Sequence, residues 1–280
     1  MPTTKTGWER HNRVVFDEIT ENYDKSRWGY PSEIFSDIIK YVSPNSGKKA
    51  LEIGAGTGKA TIHALSAGYD VFAVEMGENM SDFLKEKFSN SNNLHVLTST
   101  FEDAMLDGSS YDLIYAASAF HWIDADIGCP KVFRLLKNDG TFALFRNNAV
   151  RQGEGDLSDA IENAYIQHYY THYTDWKSRE KHITEMSVAD YLDSDELYKG
   201  FRLRGLELYG FTDITMKLYK SHKLYTADEY ISLMDTMSDH ISLPSENRKA
   251  LYSDLAYAIN NHSGTLKVDY VYQLYMGRKT

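Results

Sequence analysis

The chain has 280 residues, a length that buries a full core in one large α/β domain, or in such a domain with a smaller appended unit. Hydrophobic residues make up 42% and charged residues 25%, as in a folded globular protein, and the net charge of −10 argues against a docking surface for nucleic acid. A single cysteine, Cys129, excludes an intrachain disulfide framework and a multi-cysteine metal centre.

The N-terminal Met1-Pro2-Thr3-Thr4-Lys5 lacks an apolar signal core, and no stretch approaches the roughly 18 apolar residues of a membrane span. A cytoplasmic protein with no membrane partner is therefore expected. Val15, Ile19 and Tyr23 fall at helical spacing within residues 12–24. After the break Arg27-Trp28-Gly29-Tyr30-Pro31, Ser32 is placed as the N-cap of a helix with Ile34, Phe35, Ile38, Ile39 and Val42 on one face. Pro44, Asn45 and Gly47 close it.

Strands and helices then alternate. Residues 50–53 read as a strand entering a glycine loop, 59–65 as a helix closed by Gly68, and 71–74 as a second strand. Phe83, Leu84 and Phe88 mark the next helix; residues 94–97 form a third strand and 111–116 a fourth, apolar on both faces. Cys129 sits in a buried helical segment, helix continues over 132–136, Asn138-Asp139-Gly140 turns, and 141–145 is a fifth strand. The alternation predicts an α/β, doubly wound, mostly parallel sheet of Rossmann-like type. Its ligands lie beyond the strand C-termini, where strand order reverses.

Past about residue 150 the rhythm changes. Residues 156–205 read as helices rich in Tyr and His, 212–225 as a strand, 228–238 and 248–260 as helices, and 266–276 as a last strand. In that strand Asp269, Val271 and Gln273 alternate with Tyr270, Tyr272 and Leu274. The expected organisation is N-terminal helices over 1–46, a core over 47–150, a helical cap inserted over 151–210, and a segment 211–280 that completes a seven-stranded sheet.

The loop Glu52-Ile53-Gly54-Ala55-Gly56-Thr57-Gly58 gives a tight turn whose backbone approaches a ligand closely. A phosphate-cradling P-loop would need glycine where Ile53 stands and Ser or Thr where Ala60 stands, so triphosphate chemistry is disfavoured. A dinucleotide loop would need glycine at Lys59, three residues after Gly56. Glu75 ends the second strand 17 positions after Gly58. A carboxylate there accepts two hydrogen bonds from a vicinal diol, in nicotinamide and adenosyl cofactors alike. The alternative is a solvated strand-end acid.

The run Leu51 to Thr61 resembles the first motif of class I S-adenosylmethionine (SAM)-dependent methyltransferases, Glu/Asp-x-Gly-x-Gly-x-Gly. Val74-Glu75-Met76 resembles their ribose-binding motif. Tyr111-Asp112-Leu113-Ile114 with Ala119-Phe120-His121-Trp122-Ile123-Asp124 resembles the fourth strand and following loop of the small-molecule, type 11-like branch. Leu135-Leu136-Lys137-Asn138-Asp139-Gly140 resembles the turn before the fifth strand. Tyr23-Asp24-Lys25-Ser26-Arg27 with Tyr30-Pro31, and Tyr225 to Tyr230, are similar to a bacterial-type subgroup.

The resemblance implies a methyl transfer from SAM to a small-molecule acceptor. Gly54, Ala55 and Gly56 would lie against the methionine part, with Glu52 orienting its ammonium directly or through water. Glu75 would hold the ribose and Met76 would pack on the adenine. Thr100, Phe101 and Glu102 would meet the adenine edge, although many relatives carry aspartate where Thr100 stands. Ala117 and Ser118 would add backbone contacts. Arg27, beside Tyr23, would pair with the cofactor carboxylate as the N-terminal helix closes; the alternative is a surface arginine beside a core tyrosine. An NAD-dependent oxidoreductase and a non-catalytic SAM-binding protein are the two rival readings.

SAM carries an electrophilic methyl, so the protein mainly aligns a nucleophile and excludes water. His121 follows the fourth strand, and two readings fit it: a general base, or with Phe120 and Trp122 a wall of the substrate pocket. Tyr165, His168, Tyr169, His172 and Trp176 recur at helical spacing, as an aromatic wall over the substrate or as the stripe that seats the helix. His168 and His172 have metal-pair spacing, but Tyr169 stands where a zinc protease carries Glu, so no metal is expected.

Overall fold

The computed structural model describes residues 9–43, 47–150, 155–173 and 203–280. By its internal contacts the chain divides into two compact units. The sheet unit takes in the described residues 28–43, 47–147, 203–219 and 272–280; the tyrosine unit takes in 9–27, 148–150, 155–173 and 220–271.

In the sheet unit, α2 (Ser32–Tyr41) buries Ile34, Phe35 and Ile38. Ser32 is not its N-cap. Pro31, extended at φ −54° and ψ 136°, precedes the helix, and the Ser32 hydroxyl donates to the Glu33 carboxylate instead. Proline's fixed φ suits a helix entry, which displaces serine from the capping position.

Strands β1 (Lys49–Ile53), β2 (Asp70–Glu75), β3 (Leu94–Thr98), β4 (Tyr111–Ala117) and β5 (Leu136–Val150) run parallel. The helices α3 (Thr61–Ser66), α4 (Glu78–Lys87) and α5 (Ala125–Leu135) connect them. The sheet order is β3-β2-β1-β4-β5-β7-β6, with β6 (Phe211–Tyr225) and an antiparallel β7 (Leu266–Lys279) completing it. The expected seven-stranded, mostly parallel α/β architecture is therefore present. Strand order reverses between β1 and β4, the pair at which a ligand of this fold is received.

β1 and β4 are buried along nearly their whole length, as strands covered on both faces must be. Asp112 is the one acid on β4. Its carboxylate, 4% exposed, accepts the N–H groups of Gly47 and Lys49 and both oxygens meet the Lys137 ammonium at 3.0 and 2.9 Å. Asp112 thus anchors the start of β1, which explains its place in an apolar run.

Asn138-Asp139-Gly140 does turn, but inside β5 rather than before it. Tyr111 pairs with Leu136 and Leu113 with Thr141, so the residues between bulge out, with Asp139 at φ 61°. The β7 alternation also differs from a half-exposed strand. Tyr270 to Gly277 are all buried, Gln273 included, because β7 lies inside the sheet order.

In the tyrosine unit, a 3-10 helix (Arg10–Ile19) runs into α1 (Thr20–Ser26). Helix α6 (Asp156–His168) packs against α10 (Ser245–His262), and α8 (Ala227–Met234) against both α1 and α10. The Tyr225–Tyr230 segment finds a local explanation. Thr226 and Glu229 form a reciprocal capping box at the start of α8, which satisfies two N–H groups a helix would leave open. The remaining helices are α7 (Leu203–Leu208) and α9 (Ser238–Ile241). No helix among the described residues is long and apolar enough to cross a membrane.

Candidate cofactor site

The glycine loop leaves β1 with Gly54, Gly56 and Gly58 at φ 68°, 54° and 83°, a region L side chains rarely adopt. Two of the three are also fixed by packing. A Cβ on Gly54 would stand 2.5 Å from that of Ala119, just beyond β4, and one on Gly58 would stand 2.4 Å from the Phe88 ring. Gly56 is different: its nearest neighbour would be the Met80 sulfur at 3.9 Å. The N–H groups of Gly54 and Ala55 donate to Val74 O of β2, which draws the loop across the strand ends.

Two carboxylates serve this loop. Glu75, 6% exposed, accepts the Gly56 N–H on Oε2 at 2.7 Å and the Gly77 N–H on Oε1 at 3.0 Å. These bonds hold the carboxylate plane between the turns after β1 and β2. Glu52 is fully buried. Its Oε2 accepts the Thr61 hydroxyl at 2.6 Å and the Tyr115 hydroxyl at 2.9 Å, while its Oε1 has no hydrogen-bond partner. Burial pushes the Glu52 carboxyl up to about 8, against the two hydroxyl bonds, with the nearby Glu75 charge adding to the rise.

At the end of β4, Ser118 adopts φ 54°. Its N–H donates to Phe145 O, and its hydroxyl accepts the Tyr30 hydroxyl at 2.9 Å. The Tyr30 ring meets Phe145 edge-on, with centroids 4.9 Å apart. Phe120, His121 and Trp122 form a single 3-10 turn. Phe120 is 5% exposed and packs edge-on against Phe142, so its ring belongs to the hydrophobic core. Trp122 is buried as well, and the half-buried His121 ring lies 4.9 Å from it.

Beyond β3, Thr100 closes a turn on itself. Its hydroxyl donates to the Asp103 carboxylate and accepts the Asp103 N–H, while Ala104 N–H reaches Thr100 O. Phe101 is buried in this turn; Glu102 and Met76 are half-buried. The sheet unit thus brings Glu52, Gly54, Ala55, Gly56, Glu75, Met76, Thr100, Phe101, Glu102, Ala117 and Ser118 to the C-terminal ends of β1 to β4.

Phe120, His121 and Trp122 also lie in the sheet unit, and the remaining sequence candidates belong to the tyrosine unit. Arg27 donates from Nε to the Thr236 hydroxyl and from Nη2 to Thr236 O, both at 2.8 Å, and lies 5.2 Å from the Tyr23 ring. Its planar fork is thereby committed to the turn after α8. The expected aromatic face is not one helix: α6 ends at His168, and Tyr169 and His172 lie in the turn that follows. Tyr165 and Tyr169 are each 3% exposed, Tyr169 donating to Asp239 and Tyr165 lying edge-on to His240. His168 pairs with Asp254 at 2.8 Å, and His172 meets the Tyr173 ring. Trp176 lies outside the described residues.

Sequence reasoning missed Thr61 and Tyr115. A readable signal existed for Tyr115, whose hydroxyl needs a buried partner in an otherwise apolar strand.

This strand order, with a positive-φ glycine loop above one buried acid and beside another, defines a class I methyltransferase fold. Residues 51–144 match the type 11 methyltransferase domain family, and the chain's homologues are SAM-dependent methyltransferases, a family whose cosubstrate is SAM. It is 27% identical over 245 residues to an uncharacterized methyltransferase of Schizosaccharomyces pombe, covering 86% of this chain and 85% of that one. A Saccharomyces cerevisiae protein named "Probable S-adenosylmethionine-dependent methyltransferase" is 28% identical over 203 residues, 71% of this chain and 65% of its own length. A solved structure from Anaeromyxobacter dehalogenans, provisionally named a type II methyltransferase, shares the fold at TM-score 0.58 and 19% identity, over 90% of this chain and 97% of that chain. The nicotinamide alternative is thereby set aside.

Proposed function

We propose that the chain methylates a small-molecule acceptor, with SAM laid across the strand ends from β4 and β1 to β2 and β3. The single observation carrying the cofactor placement is the unpartnered Oε1 of Glu52, fully buried below the glycine loop. A buried acceptor without a donor is costly unless something supplies one, and an ammonium group supplies it with charge. The residues fit the cosubstrate. Gly56 offers an open backbone face, and Glu75 stands fixed for a diol one strand further on. Glu52 would take the ammonium, Glu75 the ribose, Met76 and the Thr100–Glu102 turn the adenine, and Ala117 and Ser118 the backbone side at β4.

When bound, SAM supplies an electrophilic methyl on a sulfonium. The protein's part is to orient and to exclude water. His121 follows the β4 end, half-buried against Trp122, and is the residue we assign to the acceptor, either accepting its proton or donating a hydrogen bond. Net charge of −10 and the His121-Trp122 turn favour a small molecule over nucleic acid.

Labelled methyl from SAM should enter the small-molecule fraction of a cell extract and not its RNA, DNA or protein fractions. Label confined to a macromolecular fraction would overturn the acceptor class. No transfer, with binding intact, would favour a non-catalytic binder. His121→Ala with unchanged turnover at every pH would remove the base role.

A further inference from the structure

Lys131 lies on α5, outside every motif described above, between apolar neighbours. Its ammonium donates to three backbone carbonyls of the turn after β3: Phe101 O at 2.6 Å, Glu102 O at 3.0 Å and Ala104 O at 2.7 Å. A lysine has three N–H donors, and this geometry engages all of them. The ammonium also stands 5.0 Å from the Phe101 ring centroid, a cation–π contact on the same turn. Three convergent carbonyls make a site for a point charge; a surface lysine held by a single carboxylate would leave the turn free to move.

Peptide planarity gives the contact a consequence. In a trans peptide the carbonyl of Phe101 and the N–H of Glu102 point in opposite directions. Holding the carbonyl toward Lys131 therefore turns the Glu102 N–H away from it. Thr100 stands where an aspartate would read an adenine amino group, and its hydroxyl is bonded to Asp103. Ring recognition by this turn then rests on its backbone N–H groups and on the Glu102 carboxylate.

We propose that Lys131 is a positioning residue for cofactor recognition: it fixes the Phe101–Ala104 turn so that the Glu102 N–H faces the ring nitrogen N1 of adenine. The inference rests on the SAM reading above and concerns only its adenine end. Desolvation lowers the Lys131 pKa and the Arg134 charge adds to that, while the nearby Asp103 and Glu102 act in the opposite direction.

The test is calorimetry with S-adenosylhomocysteine and S-inosylhomocysteine. The inosine ring carries a hydrogen on N1 and so opposes a donor with a donor. The wild-type protein should prefer the adenosyl compound by roughly tenfold, the worth of one well-placed buried hydrogen bond. Lys131→Met should weaken the adenosyl compound by about that factor and leave the inosyl compound nearly unchanged, collapsing the ratio. Lys131→Arg keeps charge and stem but spreads its donors in a plane, so it should narrow the ratio while preserving the fold. A folded Arg variant, or a folded Met variant, with the wild-type ratio overturns the proposal, even if it melts earlier. Wild-type protein that binds neither compound overturns the SAM site itself, a different failure. Binding of both compounds equally by wild type refutes N1 reading by the turn.

Discussion

The two units of this molecule use buried polar groups in opposite ways. In the sheet unit, Glu52 is fully buried with one oxygen satisfied twice and the other not at all, below a loop whose glycines hold positive φ. In the tyrosine unit the polar groups mostly answer one another. Tyr169 donates to Asp239, Tyr173 donates to Asp239 O, Tyr225 meets Tyr270 at 2.9 Å, and Arg27 caps the turn at Thr236. Asp239 Oδ1 and Tyr170 Oη are exceptions. The difference separates polarity arranged for a ligand from polarity arranged to hold a core.

The sharpest way to break that contrast is at Gly54. Valine there meets Ala119 at 2.5 Å in a backbone region closed to branched residues. Strain and overpacking together should cost roughly 2–5 kcal/mol. Calorimetry should find no S-adenosylhomocysteine binding, and thermal melting should show a clear loss of stability. Wild-type affinity in Gly54→Val would mean that the loop does not meet the cofactor. Glu75→Ala comes next. Removing a carboxylate that accepts two hydrogen bonds from a diol should weaken binding by roughly 100-fold. An unchanged dissociation constant would return Glu75 to the role of a strand-end acid that only braces Gly56 and Gly77.

The reverse holds in the tyrosine unit. Asp239→Ala strands the buried Tyr169 hydroxyl and should destabilise the protein by about 1–3 kcal/mol. Melting should register it as a loss of several degrees, while cofactor affinity stays within twofold. Lost cofactor affinity at undiminished stability would place Asp239 in a binding role and dissolve the contrast.

How much of this could be read beforehand follows the same line. The sheet, its order-reversal point and the loop at Glu52–Gly58 were legible because short-range patterns dictate them: apolar runs at strand length, and glycines where only glycine fits. Asp112, Lys131 and Tyr115 were not, since their partners lie 63 positions away at Lys49, 29 at Glu102 and 63 at Glu52. Spacing along the chain says nothing about such pairs. The aromatic series after residue 164 misled for a related reason. Helical periodicity persists in the letters past His168, but the backbone leaves the helix there.

The smallest effect is the most specific. The Glu52 carboxyl stands at about 8, well above the ordinary 4.5 of a glutamate, raised first by burial. Between those values the folded protein holds a proton that the unfolded chain has released. The stabilising contribution is thus complete below about pH 4.5 and is lost as pH rises through about 8. An ammonium brought to Oε1 favours the ionised form and pulls the pKa down, so binding near neutrality should expel a proton. Binding heats measured in phosphate and in Tris should therefore differ, by an amount that gives the protons released, and affinity should rise with pH toward 8. Glu52→Gln should abolish the difference between buffers and flatten stability over the same window, with only a modest loss of affinity. Equal heats in both buffers for the wild type would mean that no cation reaches Glu52, and the ammonium would have to be held elsewhere on the loop.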